Sequence, residues 1–305
     1  MLLPLLILVV CLIGLWKGAD IIVLSASRIA KKLGMSDLVI GLTVIAFATS
    51  APEFAVTVSA ALADKSDISV GNVVGSNIFN LFFILGLVAV VGTVKSTKKM
   101  VYRDGTVLIG TSILLFIFLY DLTLSQFEGA IFLFLLVAYL AYLFVHKDPE
   151  AEFHDDGDFK WYHSFQFIAG TAIIVVSGHY FVDSASEIAR ILGVSEWAIG
   201  VTIVAAGTSA PEMATSLVAV IKGRHGMSAG NLIGSDIFNL LGVLGVASLI
   251  KPLTIIPSAF GSITLLTGAL FVVVFFMRTG WKVSRVEGVI LLLIVVVRWY
   301  FDFSG

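Results

Sequence analysis

The chain has 305 residues, of which 58% are hydrophobic and only 13% are charged, and its mean hydropathy is +1.03. A soluble domain carries about 25% charged residues, so this composition excludes a soluble enzyme and indicates a protein that crosses a bilayer several times. The net charge of −2 excludes a basic nucleic-acid-binding field, and the single cysteine, Cys11, excludes an intrachain disulfide.

Long uncharged runs recur along the whole chain. Because a membrane span needs about 20 apolar residues, a chain of this length with short connections holds about ten. The predicted spans are 2–27, 37–62, 68–92, 104–120, 127–146, 164–189, 197–221, 228–249, 259–277 and 286–301. The first run lacks a basic leader and a clear cleavage motif, which favours a retained span over a signal peptide.

Most Lys and Arg residues fall in one set of connections, which the positive-inside rule assigns to the cytoplasm. An even number of spans then predicts both termini outside, in a cell membrane. The one strongly polar connection, 147–163, separates a first half (1–146) from a second half (164–305) and is rich in acids. Those acids suggest either a regulatory calcium site or a solvated hinge, and the lack of an EF-hand order favours the hinge.

The sequence repeats itself at an offset of 159 residues, without a gap from Ser36 to Gly86. Thr-Ser-Ala-Pro-Glu occurs at 49–53 and at 208–212, and the block at 71–80 matches the block at 230–239 at seven of ten positions. Five predicted spans separate each block from its counterpart, and an odd number reverses direction across the bilayer. The sequence therefore predicts an all-α polytopic membrane protein with ten transmembrane helices in two inverted five-helix repeats, and a site near the midplane.

Glu53 and Glu212 fall in the middle of their predicted spans, where a carboxylate needs a partner or a wet cavity. The repeat brings both carboxylates toward one axis, where a cation between them removes their mutual repulsion. Without a cation, one of the two carboxylates takes a proton. Hard oxygen ligands of this kind suit calcium. Pro52 and Pro211 leave the backbone carbonyls one turn earlier without their helical hydrogen bonds. At membrane depth, backbone that departs from a regular helix lines a cavity or is buried in protein. A proline kink alone is more often architectural, but its repetition beside a glutamate favours a cation site.

Neutral oxygens surround these glutamates in the repeated blocks. Ser76 and Asn80 are four residues apart and share a helix face, as do Ser235 and Asn239, although such faces often serve only as interhelical contacts. Asp236 breaks the symmetry, because its counterpart is Asn77. It is a candidate third carboxylate, a proton carrier or a packing residue, and these alternatives stay open.

The paired blocks resemble the alpha repeats of the sodium/calcium exchanger branch of the cation/calcium antiporter superfamily, over essentially the whole chain. The resemblance implies two inverted halves of five spans around a shared cation site. The metal ligands it implies are Glu53, Glu212, Thr49, Thr208, Ser50, Ser209, Ser76, Ser235, Asn80, Asn239 and the carbonyls of Ala46 and Ala205. Some relatives carry Asp where this chain has Asn239, a departure that argues against potassium co-transport and leaves the sodium stoichiometry open.

The sequence thus predicts a secondary antiporter, not an enzyme, that exchanges sodium for calcium by alternating access, with the first and sixth spans as the gate. Its expected partners are the two ions and the lipid bilayer, with no cofactor and no nucleic acid, and a monomer is expected to suffice. Proton/calcium exchange on the same glutamates is the main alternative. A passive channel is another, and an intramembrane hydrolase is disfavoured because no nucleophile accompanies the acids.

Overall fold

The computed structural model describes residues 2–146, 157–194, 205–257 and 259–304. Within these ranges the architecture is helical, apart from four two-residue strands and short connections. The helices are α1 (Leu2–Leu33), α2 (Asp37–Ile40), α3 (Ala46–Thr49), α4 (Ala51–Leu62), α5 (Ser66–Phe79), α6 (Leu85–Gly92), α7 (Gly105–Phe118), α8 (Gln126–His146), α9 (Tyr162–Ile191), α10 (Ala205–Thr208), α11 (Ala210–Ile221), α12 (His225–Ile237), α13 (Leu244–Ile250), α14 (Ala259–Arg278) and α15 (Arg285–Ser304).

Within the described ranges, seven helical stretches are long and apolar enough to cross a membrane, or eight if the bent pair Asp37–Thr49 and Ala51–Leu62 is one span. The chain is therefore a multi-pass, all-helical membrane protein. The predicted seventh span, 197–221, begins outside the described residues, and its described apolar helix, Ala210–Ile221, has only 12 residues. The count of ten stays a prediction, and so does the division at 147–163, whose residues 147–156 also lie outside the described ranges.

Short π-helical segments continue several of the α-helices: Gly41–Ile45, Asn80–Ile84, Met100–Asp104 and Phe238–Val243. The wider turn lets the helix change the direction in which its side chains point, and such segments are frequent at functional sites. Two of them begin at or beside the repeated asparagines, Asn80 and Asn239.

Two small antiparallel sheets join the halves at their connections. β1 (Val94–Lys95) pairs with β4 (Lys282–Val283), and β2 (Thr123–Leu124) pairs with β3 (Leu253–Thr254). Single-turn 3₁₀ segments, Leu119–Asp121 and Thr279–Trp281, precede β2 and β4.

The helices that carry the repeated blocks 71–80 and 230–239 lie at the centre of the molecule. In the most apolar stretch of Ser66–Gly92, 72% of residues are buried, and in His225–Ile250 the share is 78%. The corresponding shares in α1 and α9 are only 28% and 17%, so these two long helices lie at the periphery. Their exposed aliphatic and aromatic side chains suit a lipid environment.

Glycines allow the central helices to approach closely. A Cβ added at Gly234 of α12 would lie 2.6 Å from the Leu42 carbonyl oxygen, and one at Gly41 would lie 2.6 Å from the Met227 oxygen. Gly234 therefore allows a close approach between the two helices. At Gly75, its counterpart in the repeat, no described residue lies within 4 Å of the added Cβ.

Helices α1 and α9 pack against each other through glycines. A Cβ on Gly18 would lie 3.0 Å from the Gly170 carbonyl oxygen, and a Cβ on Gly170 would lie 3.0 Å from the Gly18 oxygen. This backbone-to-backbone contact requires residues without side chains and joins the two peripheral helices into one pair.

Candidate cation site

Each predicted site glutamate lies in the first turn of a helix that begins at a backbone break. Helix α3 ends at Thr49, Ser50 leaves the helical conformation with φ −78° and ψ 10°, and the helix axis bends by 49° before α4 continues. In the second half, Ser209 takes nearly the same angles, φ −87° and ψ 9°, between α10 and α11. Proline is tolerated in a first turn because the N–H groups there have no intrahelical partner. The breaks therefore place Glu53 and Glu212 at helix N-termini, whose dipoles favour a negative charge.

The two breaks face each other and exchange hydrogen bonds. Ser209 Oγ donates to Glu53 Oε1 at 3.0 Å, and Ser50 Oγ donates to Glu212 Oε1 at 3.0 Å. Both carboxylates are fully buried, with 0% exposure. Each half thus supplies a hydroxyl to the carboxylate of the other half, and the two glutamates belong to one site.

The repeated asparagines form a second layer beside the glutamates. Asn80 Nδ2 donates to Asp236 Oδ1 at 3.0 Å, and Asn239 Nδ2 donates to Asn77 Oδ1 at 3.0 Å. These two contacts are related by the repeat, since positions 77 and 236 are counterparts. Both amide nitrogens are therefore used, and both amide oxygens point away from these partners.

Serine and threonine hydroxyls lie between the two layers, but the halves differ here. Ser235 Oγ donates to Glu212 Oε1 at 3.4 Å and also lies 3.4 Å from Thr49 Oγ1. Its counterpart Ser76 donates to the Val73 carbonyl at 3.1 Å and accepts from Asn239 at 3.4 Å. The crossed contacts of Ser50 and Ser209 with the glutamates are symmetric, whereas the contacts of Ser76 and Ser235 are not.

Two asparagines that are absent from the predicted ligand set hold the backbone of the glutamates. Asn72 Nδ2 donates to the Glu53 carbonyl at 3.3 Å, and Asn231 Nδ2 donates to the Glu212 carbonyl at 3.4 Å. Each amide also donates at 3.0 Å to a hydroxyl one turn further along, on Thr57 or Ser216. The repeat itself points to both residues, because Asn72 and Asn231 occupy the same position in the matching blocks 71–80 and 230–239.

Several buried oxygens of this site have no hydrogen-bond donor among the described residues. They are Glu53 Oε2, Glu212 Oε2, Asn80 Oδ1, Asn239 Oδ1, Asp236 Oδ2 and the hydroxyl of Thr208. A buried acceptor without a donor costs about 1–3 kcal/mol, and more when it is charged. Cations bound among such oxygens would supply the missing partners, which is the chemistry that this arrangement supports.

Nearly all of the predicted ligand positions can be located. Glu53, Glu212, Thr49, Ser50, Ser209, Ser76, Ser235, Asn80 and Asn239 are buried and connected as described above. The Ala46 carbonyl accepts from Thr49 Oγ1 at 3.4 Å and from the Ser50 amide at 3.0 Å. Ala205 begins α10, and Thr208 ends it beside the Ser209 break. Among the described residues, no three Asp, Glu, His or Cys side chains converge on a single metal position.

A family model described as sodium/calcium exchanger protein matches residues 3–145 and again residues 162–303. The chain belongs to this family. It is 35% identical over 313 residues to the putative antiporter CaxA of Alkalimonas amylolytica, and the match covers 98% of each chain. It is 33% identical over 339 residues to the sodium/calcium exchanger MaX1 of Methanosarcina acetivorans, covering 95% of this chain and 96% of that protein.

A solved structure of the sodium-calcium exchanger NCX_Mj, soaked with 2.5 mM Na⁺ and 1 mM Sr²⁺, superposes with a TM-score of 0.86. That chain is 30% identical, and the match covers 98% of both chains. The resemblance to the exchanger branch is thereby confirmed, and the chain is placed among membrane transporters rather than enzymes.

Proposed function

We propose that this protein is a secondary antiporter that moves calcium in one direction and sodium in the other through the site between Glu53 and Glu212. The observation that carries the proposal is the pair of buried carboxylates, each with one oxygen held by a serine of the opposite half and one without a donor. Two such anions at one site call for a divalent cation. The membership of this chain in the sodium/calcium exchanger family supports the same assignment.

The proposed ligands are all hard oxygens. Calcium takes six to eight of them, including carboxylates and carbonyls, at about 2.3–2.6 Å. Glu53 and Glu212 supply the charge, and the neutral oxygens come from Thr49, Thr208, Ser50, Ser209, Ser76, Ser235, Asn80, Asn239 and the carbonyls of Ala46 and Ala205. Sodium ions use subsets of the same oxygens, so calcium and sodium compete for the two carboxylates.

Competition for shared carboxylates couples the two fluxes. With the site empty, two buried anions face each other in a medium of low dielectric constant, and occluding them is unfavourable. Calcium, or sodium ions in its place, neutralises them and makes the occluded state accessible. The switch between inward and outward access therefore requires a loaded site, which prevents a leak of either ion alone.

The peripheral pair α1 and α9 is the proposed gate. Only 28% and 17% of the residues in their most apolar stretches are buried, whereas the site is held by α3–α5 and α10–α12. At Gly178 of α9, an added Cβ would lie 3.7 Å from Ala210 and Pro211, an ordinary van der Waals contact beside the second break. A surface of this kind can slide without breaking hydrogen bonds of the site.

The proposed topology has ten spans in two inverted repeats, 1–146 and 164–305, joined by the linker 147–163. The contacts related by the 159-residue offset support the repeat. Both termini face outward, the host membrane is the cell membrane, and a monomer carries the function. Cysteine placed at either terminus and labelled from outside intact cells would test the orientation.

The decisive experiment measures calcium uptake into proteoliposomes that contain the purified protein. Sodium-loaded vesicles diluted into sodium-free buffer should accumulate calcium, and sodium-free vesicles should not. A proton gradient of equal size should give no uptake. Uptake driven by protons but not by sodium would instead assign the same glutamates to proton/calcium exchange.

A further inference from the structure

A cavity of about 820 Å³ lies beside the two backbone breaks, between α4, α9 and the junction of α10 with α11. Pro52 and Pro211, which precede the site glutamates, both line it. Its α9 wall carries two carboxylates, Asp183 and Glu187, which are four residues apart and therefore share one helix face. The same cavity thus borders the glutamate site and a pair of acids that this site does not use.

The position of Asp183 indicates that the cavity holds water. Ile191, the last residue of α9, lies eight residues further on, which is about 12 Å along the helix axis. At that depth the Asp183 side chain is 60% exposed, and a carboxylate there faces a wet cavity rather than lipid. Ser186 lines the same wall, is 4% exposed, and has no hydrogen-bond partner for its hydroxyl among the described residues. Water or a hydrated ion in the cavity would supply that partner.

The two acids have no counterpart in the other half, although the sequence around them is duplicated. The motif Ser-Ala-Ser-x-Ile-Ala occurs once in α1 and once in α9, at the same 159-residue offset as the site blocks. By that offset Asp183 corresponds to Leu24, and Glu187 corresponds to Arg28. The negative pair therefore belongs to one half only, and at one of its positions the other half carries the opposite charge.

The mirrored face of α1 is occupied by polar contacts. Ser27, the counterpart of Ser186, accepts a hydrogen bond from Arg224 Nη1 at 2.7 Å. Asp20 of the same helix is paired with Lys222 at 2.7 Å. The α1 face is thus held against the second half of the chain, whereas the α9 face borders a cavity.

Basic side chains in the α9 wall do not cancel this difference. His179 Nε2 lies 3.5 Å from Asp183 Oδ2, and because 69% and 60% of the two side chains are exposed, the contact contributes little. Arg190 also lines the cavity, but its counterpart in α1 is Lys31, so this position is basic in both halves.

We propose that Asp183 and Glu187 form a capture site for a hydrated divalent cation, on one side of the membrane only. The inference rests on the proposed sodium/calcium exchange. Two carboxylates on one face attract a divalent cation more strongly than a monovalent one, because the attraction scales with the charge of the ion. The walls of a cleft focus this field and raise the local concentration of the ion. The exchanger therefore takes calcium at lower concentrations from this side, which is the outside in the proposed topology.

The test measures half-saturating calcium from each side, in right-side-out and inside-out membrane vesicles loaded with sodium. In right-side-out vesicles at low ionic strength, Asp183→Asn and Glu187→Gln should each raise half-saturating calcium about threefold, and the double variant about tenfold, as expected for exposed charges. The shift should vanish in about 1 M choline chloride, where the Debye length is about 3 Å. Inside-out vesicles should show no shift at either ionic strength.

Three further variants serve as controls. Glu187→Asp keeps the charge and should keep the wild-type value. Glu187→Arg copies the residue of the mirrored helix and should raise half-saturating calcium more than Glu187→Gln does. Asp121→Asn removes an exposed carboxylate that lies on the same side in the proposed topology but does not line the cavity, and it should have no effect.

An unshifted double variant at low ionic strength would overturn the proposal, and so would an equal shift from both sides of the membrane. Calcium self-exchange in the same vesicles needs no sodium and reports the same half-saturating calcium, and its rate at saturating calcium shows that a variant is folded and inserted. If the wild-type protein exchanges calcium for calcium but not for sodium, the proposed function fails while the capture site is still measured.

Discussion

Replacing either site glutamate with glutamine tests the central assignment most directly. The amide keeps the size of the side chain, and its oxygen can still accept the 3.0 Å hydrogen bond from Ser50 or Ser209. The only large change is therefore the loss of one of the two charges. Glu53→Gln and Glu212→Gln should each abolish sodium-driven calcium flux, although the protein still folds.

The size of the effect follows from burial. Both carboxylates have 0% exposure, so water does not screen their interaction with a bound cation. Removing one partner of a buried, hydrogen-bonded charge pair costs about 3–5 kcal/mol. Calcium affinity should therefore fall by about two to four orders of magnitude. Titration calorimetry on detergent-purified protein measures this directly.

The chain supplies a matched control in a second pair of glutamates that the repeat also relates. Glu128 and Glu287 accept from the backbone amides of Ser125 and Ser284, at 2.8 and 2.7 Å, and cap α8 and α15. Glu128→Gln and Glu287→Gln should leave calcium affinity unchanged. A site variant that binds calcium as tightly as these controls would refute the assignment.

Three further predictions concern the support of the site. Ser50→Ala and Ser209→Ala each remove a hydrogen bond to a buried carboxylate and should weaken calcium binding by about tenfold to a hundredfold, measured by the same calorimetry. Gly234→Ala places a Cβ 2.6 Å from the Leu42 oxygen and should lower the free energy of unfolding by about 1–3 kcal/mol, as measured in a thermal melt. Gly268→Ala is the control and should not lower it, because no described residue lies within 4 Å of the added Cβ. Arg224→Ala, which removes a buried guanidinium bonded to neighbouring helices, should lower the melting temperature without changing calcium affinity.

The breaks at the glutamates were predictable from sequence because proline acts locally. Proline has no N–H to donate to the carbonyl four residues before it, so a helix that approaches Pro52 or Pro211 breaks there. The helix that begins again at the break holds the following glutamate in its first turn. The burial of Glu53 and Glu212 followed from the bilayer, since an exposed carboxylate at that depth is too unfavourable.

Features that depend on packing between helices were not predictable. Hydropathy locates the part of a helix that crosses the hydrocarbon but not its extension into the membrane–water interface. For this reason the predicted end of the first span, residue 27, falls short of the end of α1 at Leu33, whose last turn carries Lys31 and Lys32. The π-helical turns at Asn80 and Asn239 carry no compositional signal. Asn72 and Asn231 were visible as repeated residues, but only their contacts show that they hold the backbone of the glutamates.

The crossed hydrogen bonds limit how such a site can change its access. Ser50 and Ser209 each bind the glutamate of the other half, so a motion that separated the halves at their centre would break both bonds and leave two buried carboxylates with fewer donors. Tilting one repeat against the other around the site is therefore unfavourable when the site is loaded. Movement of α1 and α9 leaves these bonds intact, although it must break the polar contacts that hold α1, such as Lys222 to Asp20 at 2.7 Å. Both of those side chains are about one-third exposed, so water can replace their contact at little cost. The Lys222–Asp20 contact therefore restrains α1 less than the crossed hydrogen bonds restrain the core. The buried hydrogen bond from Arg224 to Ser27 of α1, at 2.7 Å, is the contact that a moving α1 must keep or replace.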